Sequence, residues 1–118
     1  MERKHKKLDV WKLSMELVTE IYKIQFPQNE VYALSSQIRR ASISIPSNIA
    51  ECAARGSLKE YIHFLNIANG SLSEVDTQLE ICKNLNYISQ SQYDNLVDRI
   101  NVLSIKLINF IKSLKKNL

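Results

Sequence analysis

Glycine and proline occur only twice each in these 118 residues, cysteine twice and tryptophan once. So few turn formers exclude an all-β fold, which needs a turn roughly every 8–12 residues. Gly56 and Gly70 stand alone, so no glycine-rich phosphate loop is present. Two cysteines cannot staple a disulfide scaffold, and free thiols suit a reducing cytoplasm. Long apolar runs are missing too. The richest stretch, 105–111, contains Lys106 and Asn109 and is far short of the ~20 residues that span a bilayer. The basic start leads straight into Asp9, Trp11 and Lys12, without the apolar centre of a signal peptide. A soluble cytoplasmic protein without a membrane partner is expected.

What is present is an ordinary globular composition, 45% hydrophobic and 24% charged, enough for one domain. The net charge of +4 is unevenly spread. Residues 1–12 carry +3, residues 106–118 carry +4 and the body between them −3. A basic tail over residues 1–8, followed by a single domain over 9–118, is predicted. The basic balance therefore belongs to the two ends rather than to a charged face.

Apolar spacing predicts four helices. The first runs from Asp9, as N-cap, to Gln25, with one stripe of Val10, Leu13, Leu17, Ile21 and Ile24. Beside it lies a second, of Trp11, Met15, Val18 and Tyr22. The second helix, 30–54, places Val31, Leu34, Ile38, Ala41 and Ile45 at steps of 3 and 4, with the stripe shifting after Pro46 to Ile49 and Cys52. Arg55-Gly56 supplies a stop, and Ser57 with Glu60 reads as a capping box. In the third helix Leu58, Tyr61, Leu65, Ala68, Leu72, Val75, Leu79 and Cys82 alternate without a break, up to a left-handed cap at Asn84–Asn86. The last begins near Ser89 or Ser91 and carries Tyr93, Leu96, Ile100, Leu103, Leu107, Phe110 and Leu114. This is the heptad pattern of helices packed at about 20°. With connections of about four or five residues, an all-α, antiparallel up-down-up-down four-helix bundle follows, its second helix kinked at Pro46. Val102, Ile105 and Ile108 on the last helix, and Ile67 and Ile81 on the third, fall outside the central stripes. Together with Trp11 and Tyr22 they predict a subunit interface.

Chemistry is harder to find. Glu60 and His63 have the Glu-x-x-His spacing of di-iron bundles, but both fall on outward heptad positions. The only other histidine is His5 in the basic tail, so no metal site is expected. Cys52 and Cys82 sit on core stripes at a predicted axial offset of about 30 Å, too far for a disulfide. No catalytic residue and no cofactor are expected. Mid-helix Gly70 predicts close approach of a neighbouring helix.

The stretch Gln37–Glu51 holds more information. Pro46 cannot donate to the Ser42 carbonyl, and Asn48 falls on the core side of the helix. A structural polar network of Asn48, Glu51 and Glu74 is one reading. Arg39, Arg40, Arg55 and Lys59, with Arg3, Lys4, Lys6 and Lys7 of the tail, form the alternative: a phosphate-contacting surface for RNA.

Three blocks of residues then show a resemblance. They are Phe26-Pro27 with Glu30, the run from Gln37 through Arg39-Arg40 to Ser44-Ile-Pro46-Ser-Asn48-Ile-Ala-Glu51, and Phe64 with Ala68, Gly70-Ser71 and Glu74. The chain resembles the 23S rRNA intervening-sequence proteins, small bacterial four-helix bundles often encoded inside insertions in the large ribosomal RNA gene. These in turn resemble the accessory variability protein of diversity-generating retroelements, a basic pentameric barrel. One departure is Cys52, where the family usually reads glycine. The resemblance implies a ring-like homopentamer and nucleic-acid association, and no catalytic residues. A non-enzymatic homo-oligomer that binds RNA is therefore expected, with a protein–protein scaffold as the alternative.

Overall fold

Four α-helices carry the chain: α1 (Asp9–Tyr22), α2 (Leu34–Ala54), α3 (Leu58–Asn84) and α4 (Gln90–Lys115), with 3-10 turns at Lys4–Lys7 and Gln28–Glu30. The computed structural model describes residues 2–118. Each helix packs on its neighbours in sequence, and α4 closes the bundle by returning to α1. The heptad stripes meet in the middle. Leu17 and Ile21, Ile38, Ile45 and Ile49, Leu65, Val75 and Leu79, and Leu103 and Leu107 are all completely buried. Full burial of each such side chain contributes about 1.5–3 kcal/mol relative to exposure, so the stripes dominate the stability of the fold. Contacts at both ends align α3 with α4: the Lys83 ammonium lies 4.3 Å from the Tyr93 ring centroid, and Tyr61 meets Phe110 edge-on at 5.8 Å.

The helix ends depart from expectation in instructive ways. Asp9 is the first helical residue rather than the cap, because Leu8 takes the extended cap conformation and packs on the core. In the first turn the Asp9 carboxylate still favours the helix dipole. α1 ends three residues early. Its backbone tightens to i→i+3 bonds at Lys23 and Ile24, which tips Ile24 into the core.

The connection from α1 to α2 spans 11 residues, 23–33, not four or five. Val31 is consequently exposed instead of starting the second stripe, and Tyr32 is 95% exposed. α2 starts at Leu34, whose N–H donates to the Glu30 carboxylate at 3.3 Å. It then passes through Pro46 without interruption and stops at Ala54. The stop uses an extended Arg55 and not a left-handed glycine.

Ser57 accepts the Glu60 N–H at 3.1 Å, but the Glu60 carboxylate takes the Ser57 hydroxyl, not its N–H. A fully reciprocal box occurs one connection later, between Ser89 and Gln92. At the end of α3, Asn86 adopts φ 62°. The Tyr87 N–H reaches the Cys82 carbonyl at 2.9 Å and the Asn86 N–H reaches Lys83 at 3.0 Å, a Schellman motif. Gly70 corrects a further expectation. An added Cβ would meet nothing within 4 Å, so no neighbouring helix of the bundle approaches it closely.

Candidate nucleic-acid interface

The basic candidates separate along the bundle. Arg39 and Arg40 lie in the first half of α2, about 22 Å of helix from Arg55. Arg39 is half-buried and occupied within the fold. Its guanidinium lies 4.7 Å from the Tyr22 ring centroid, and Nη2 donates to the Tyr22 carbonyl at 3.4 Å. Tyr22 is the last residue of α1, where a cation complements the unsatisfied carbonyls. Arg40 is exposed and lines an open groove between α2 and α3 with Tyr32, Gln37, Ser44, Ser71 and Glu74.

Arg55 and Lys59 flank the short turn between α2 and α3. Arg55 pairs with Glu51 and, at 4.0 Å, with Glu60, and its guanidinium sits 5.3 Å from the Phe64 ring. Lys59 is exposed. The N-terminal segment arrives at this same place. Its 3-10 turn packs on α2 and α1, with His5 edge-on to Trp11 at 5.2 Å. Arg3, Lys4 and His5 share a groove with Ser47, Ala50, Glu51 and Ala54, while Lys6 and Lys7 are exposed beside it. Sequence spacing does not foretell this docking, because its contacts join residues some fifty positions apart.

The polar network is differently composed from the one expected. Asn48 Nδ2 donates to the Ser44 carbonyl at 2.8 Å and to its Oγ at 2.9 Å, and the Ser44 and Ser71 hydroxyls share a bond of 2.9 Å across to α3. Glu51 belongs to Arg55 instead, and Glu74 is exposed at the groove beside Arg40. Short hydroxyls rather than carboxylates supply the side-chain partners. The signal for them is the i, i+4 step from Ser44 to Asn48 together with small Ser71 opposite.

Cys52 and Cys82 are both buried, and burial pushes each thiol up to about 11. For Cys52 a hydrogen bond with Tyr61 partly offsets that rise. Glu60 and His63 are exposed on α3. Among the described residues no three histidine, cysteine, aspartate or glutamate side chains gather where an ion could be held, and no helix is long and apolar enough to cross a membrane. Apolar side chains remain outside the core. Ile105 is 61% exposed, and Val102 and Ile108 on α4 and Ile67 and Ile81 on α3 are also exposed.

Residues 6–109 match the family model described as 23S rRNA-intervening sequence protein. The chain is also similar to a crystal structure of a protein of unknown function from the S23 ribosomal protein family of Bacteroides thetaiotaomicron. The identity is 30% and the TM-score 0.80, over 87% of this chain and 95% of that one. No curated protein matches. With nearly nine-tenths of its length covered, the chain belongs to the 23S rRNA-intervening sequence protein family.

Proposed function

We propose that this chain is a non-enzymatic cytoplasmic protein that assembles into a homopentamer and associates with RNA through its basic residues. The bundle runs up-down-up-down, consistent with the contacts at the two ends of α3 and α4 and with the three-residue turn after α2. Pro46 bends α2, since the Ser42 carbonyl has no proline N–H to accept. The likeness to the accessory variability protein of diversity-generating retroelements belongs to the same proposal.

One observation carries it: the basic N-terminal segment is docked beside the α2–α3 turn, so Arg3, Lys4, Lys6 and Lys7 join Arg55 and Lys59. Assembly is supported by the exposed aliphatics of α3 and α4, which exceed what a lone bundle needs. Five copies carry +20, a field that attracts a polyanion. Arg40, about 22 Å of helix from Arg55, lies apart from this surface, and Arg39 serves mainly to hold α1.

Light scattering and a salt titration test the proposal together. A mass five times that of the chain, and affinity for a single-stranded RNA that falls steeply between 50 and 200 mM salt, are expected. A monomer, or binding indifferent to salt, overturns it. The exposed aliphatics also favour a second reading, a protein scaffold. Co-purification of a protein partner without salt-sensitive RNA binding selects that one.

A further inference from the structure

Both chain ends meet the α2–α3 turn. Arg3 and Lys4 reach it through the groove on Ala50–Ala54, and α4 reaches it through Phe110 against Tyr61, near the start of α3. The last turns of α4, with Lys112, Lys115 and Lys116, therefore project at the same end as Arg3, Lys4 and Lys59. The three stretches that build this half, 1–12, 48–63 and 106–118, carry a net +7, and the rest of the chain −3. Among the described residues, Arg55 is the only cation of that half engaged in an ion pair. The lysines of α4 also sit where a helix C-terminus favours cations, so their placement costs the helix nothing.

We infer that RNA binds end-on, against the lysine-rich end of the bundle, and that Lys112 and Lys115 of α4, with Lys116 that caps it, are phosphate contacts equal to those of the N-terminal segment. This rests on the RNA reading above and assigns it a place. Exposed cations without an ion-pair partner, converging from several elements, suit phosphate contacts, and this is the end that supplies them. Arg39 and Arg40 lie in the other half of α2, Arg39 held against Tyr22 of α1 and Arg40 in the groove that it shares with Glu74 of α3. Copies arranged side by side with parallel axes would merge these ends into one positive rim.

Binding of a fluorescent single-stranded RNA of about 20 nucleotides, measured against salt, tests the placement. The variants are Lys112→Gln/Lys115→Gln/Lys116→Gln, a control Lys23→Gln/Lys83→Gln from the opposite half, and Arg40→Gln. All are exposed or half-buried sites, and helicity and mass are checked for each. The triple variant should lose about 2 from the magnitude of the logarithmic salt slope, and about 100-fold in affinity at 0.1 M salt, at roughly 0.7 per phosphate contact. The control should bind as the parent does. If the triple variant binds like the parent while Arg40→Gln does not, the end-on site is wrong and RNA binding survives elsewhere. If the parent protein binds no RNA at low salt, the RNA reading itself fails. Lysine-dependent pelleting with phosphatidylserine vesicles in place of RNA binding would also overturn the inference.

Discussion

Replacing Gly70 by alanine should make the protein more stable. The residue sits in the thirteenth position of a 27-residue helix, on an exposed face where a methyl group would touch nothing within 4 Å. In such a place glycine is about 0.8–1.0 kcal/mol worse than alanine, because it gives up more backbone freedom on folding. For 118 residues the unfolding entropy near the midpoint is about 250 cal/mol/K, so a gain of 1 kcal/mol raises Tm by about 4 °C. Thermal unfolding followed by circular dichroism, at one fixed protein concentration, measures it. Light scattering on the same samples should give an unchanged mass. A variant that melts lower and has a smaller mass would refute the reasoning, since atoms of another chain would then have to occupy the space over Gly70.

Other substitutions bear on the remaining features. Asn86→Ala should cost about 1 kcal/mol in urea unfolding, and Asn86→Gly little or nothing, because the left-handed φ of 62° suits glycine and strains alanine. Asn48→Ala should cost about 1 kcal/mol through its two bonds to Ser44, whereas Glu74→Gln should change stability by less than about 0.5 kcal/mol. Both thiols should resist alkylation at pH 8 in the folded protein and react promptly in denaturant. The same burial sets a pH dependence. The folded thiols titrate near 11 against 9.0 for a free one, so their contribution is complete below about pH 9 and fades as the pH rises to 11. Each thiol steepens that decline by at most about 1.4 kcal/mol per pH unit, and a Cys52→Ala/Cys82→Ala variant should show a shallower profile.

Periodicity exposed most of the interior before any coordinates. Every stripe residue of α3 from Leu65 to Cys82 is buried, as are Leu96, Ile100, Leu103 and Leu107 of α4. An unbroken 3-4 alternation leaves one face for the core, and burial then follows from helix geometry alone. The outward position of Val102, Ile105 and Ile108 was legible on the same grounds. Errors cluster where the period is interrupted. Val31 fits the extrapolated stripe, yet the backbone turns at Ala33, so a residue three positions upstream of the helix cannot share its face. Gly70 differs from expectation because the helix cost of a glycine says nothing of what lies opposite it, and within the bundle that space is open. The candidate site was legible only as an inventory of cations. Which of them become neighbours depends on the N-terminal segment folding back along α2, a contact between distant stretches that carries no periodic signal. Arg39 shows the limit well. By composition it equals Arg40, but the carbonyl and ring of Tyr22 claim it.

Because residues 3–5 and the tip of α4 converge on one pole, handling the protein at either terminus touches the same place. A purification tag or fluorescent fusion joined close to residues 3–5 or to the last turn of α4 lies beside the lysines. The tight corner at Asn86 and Tyr87, by contrast, lies at the far pole with Tyr87 bonded to Glu30. A probe inserted in the 23–33 connection, at exposed Gln28 or Asn29, keeps clear of the lysines but sits beside the bond from Tyr87 to Glu30.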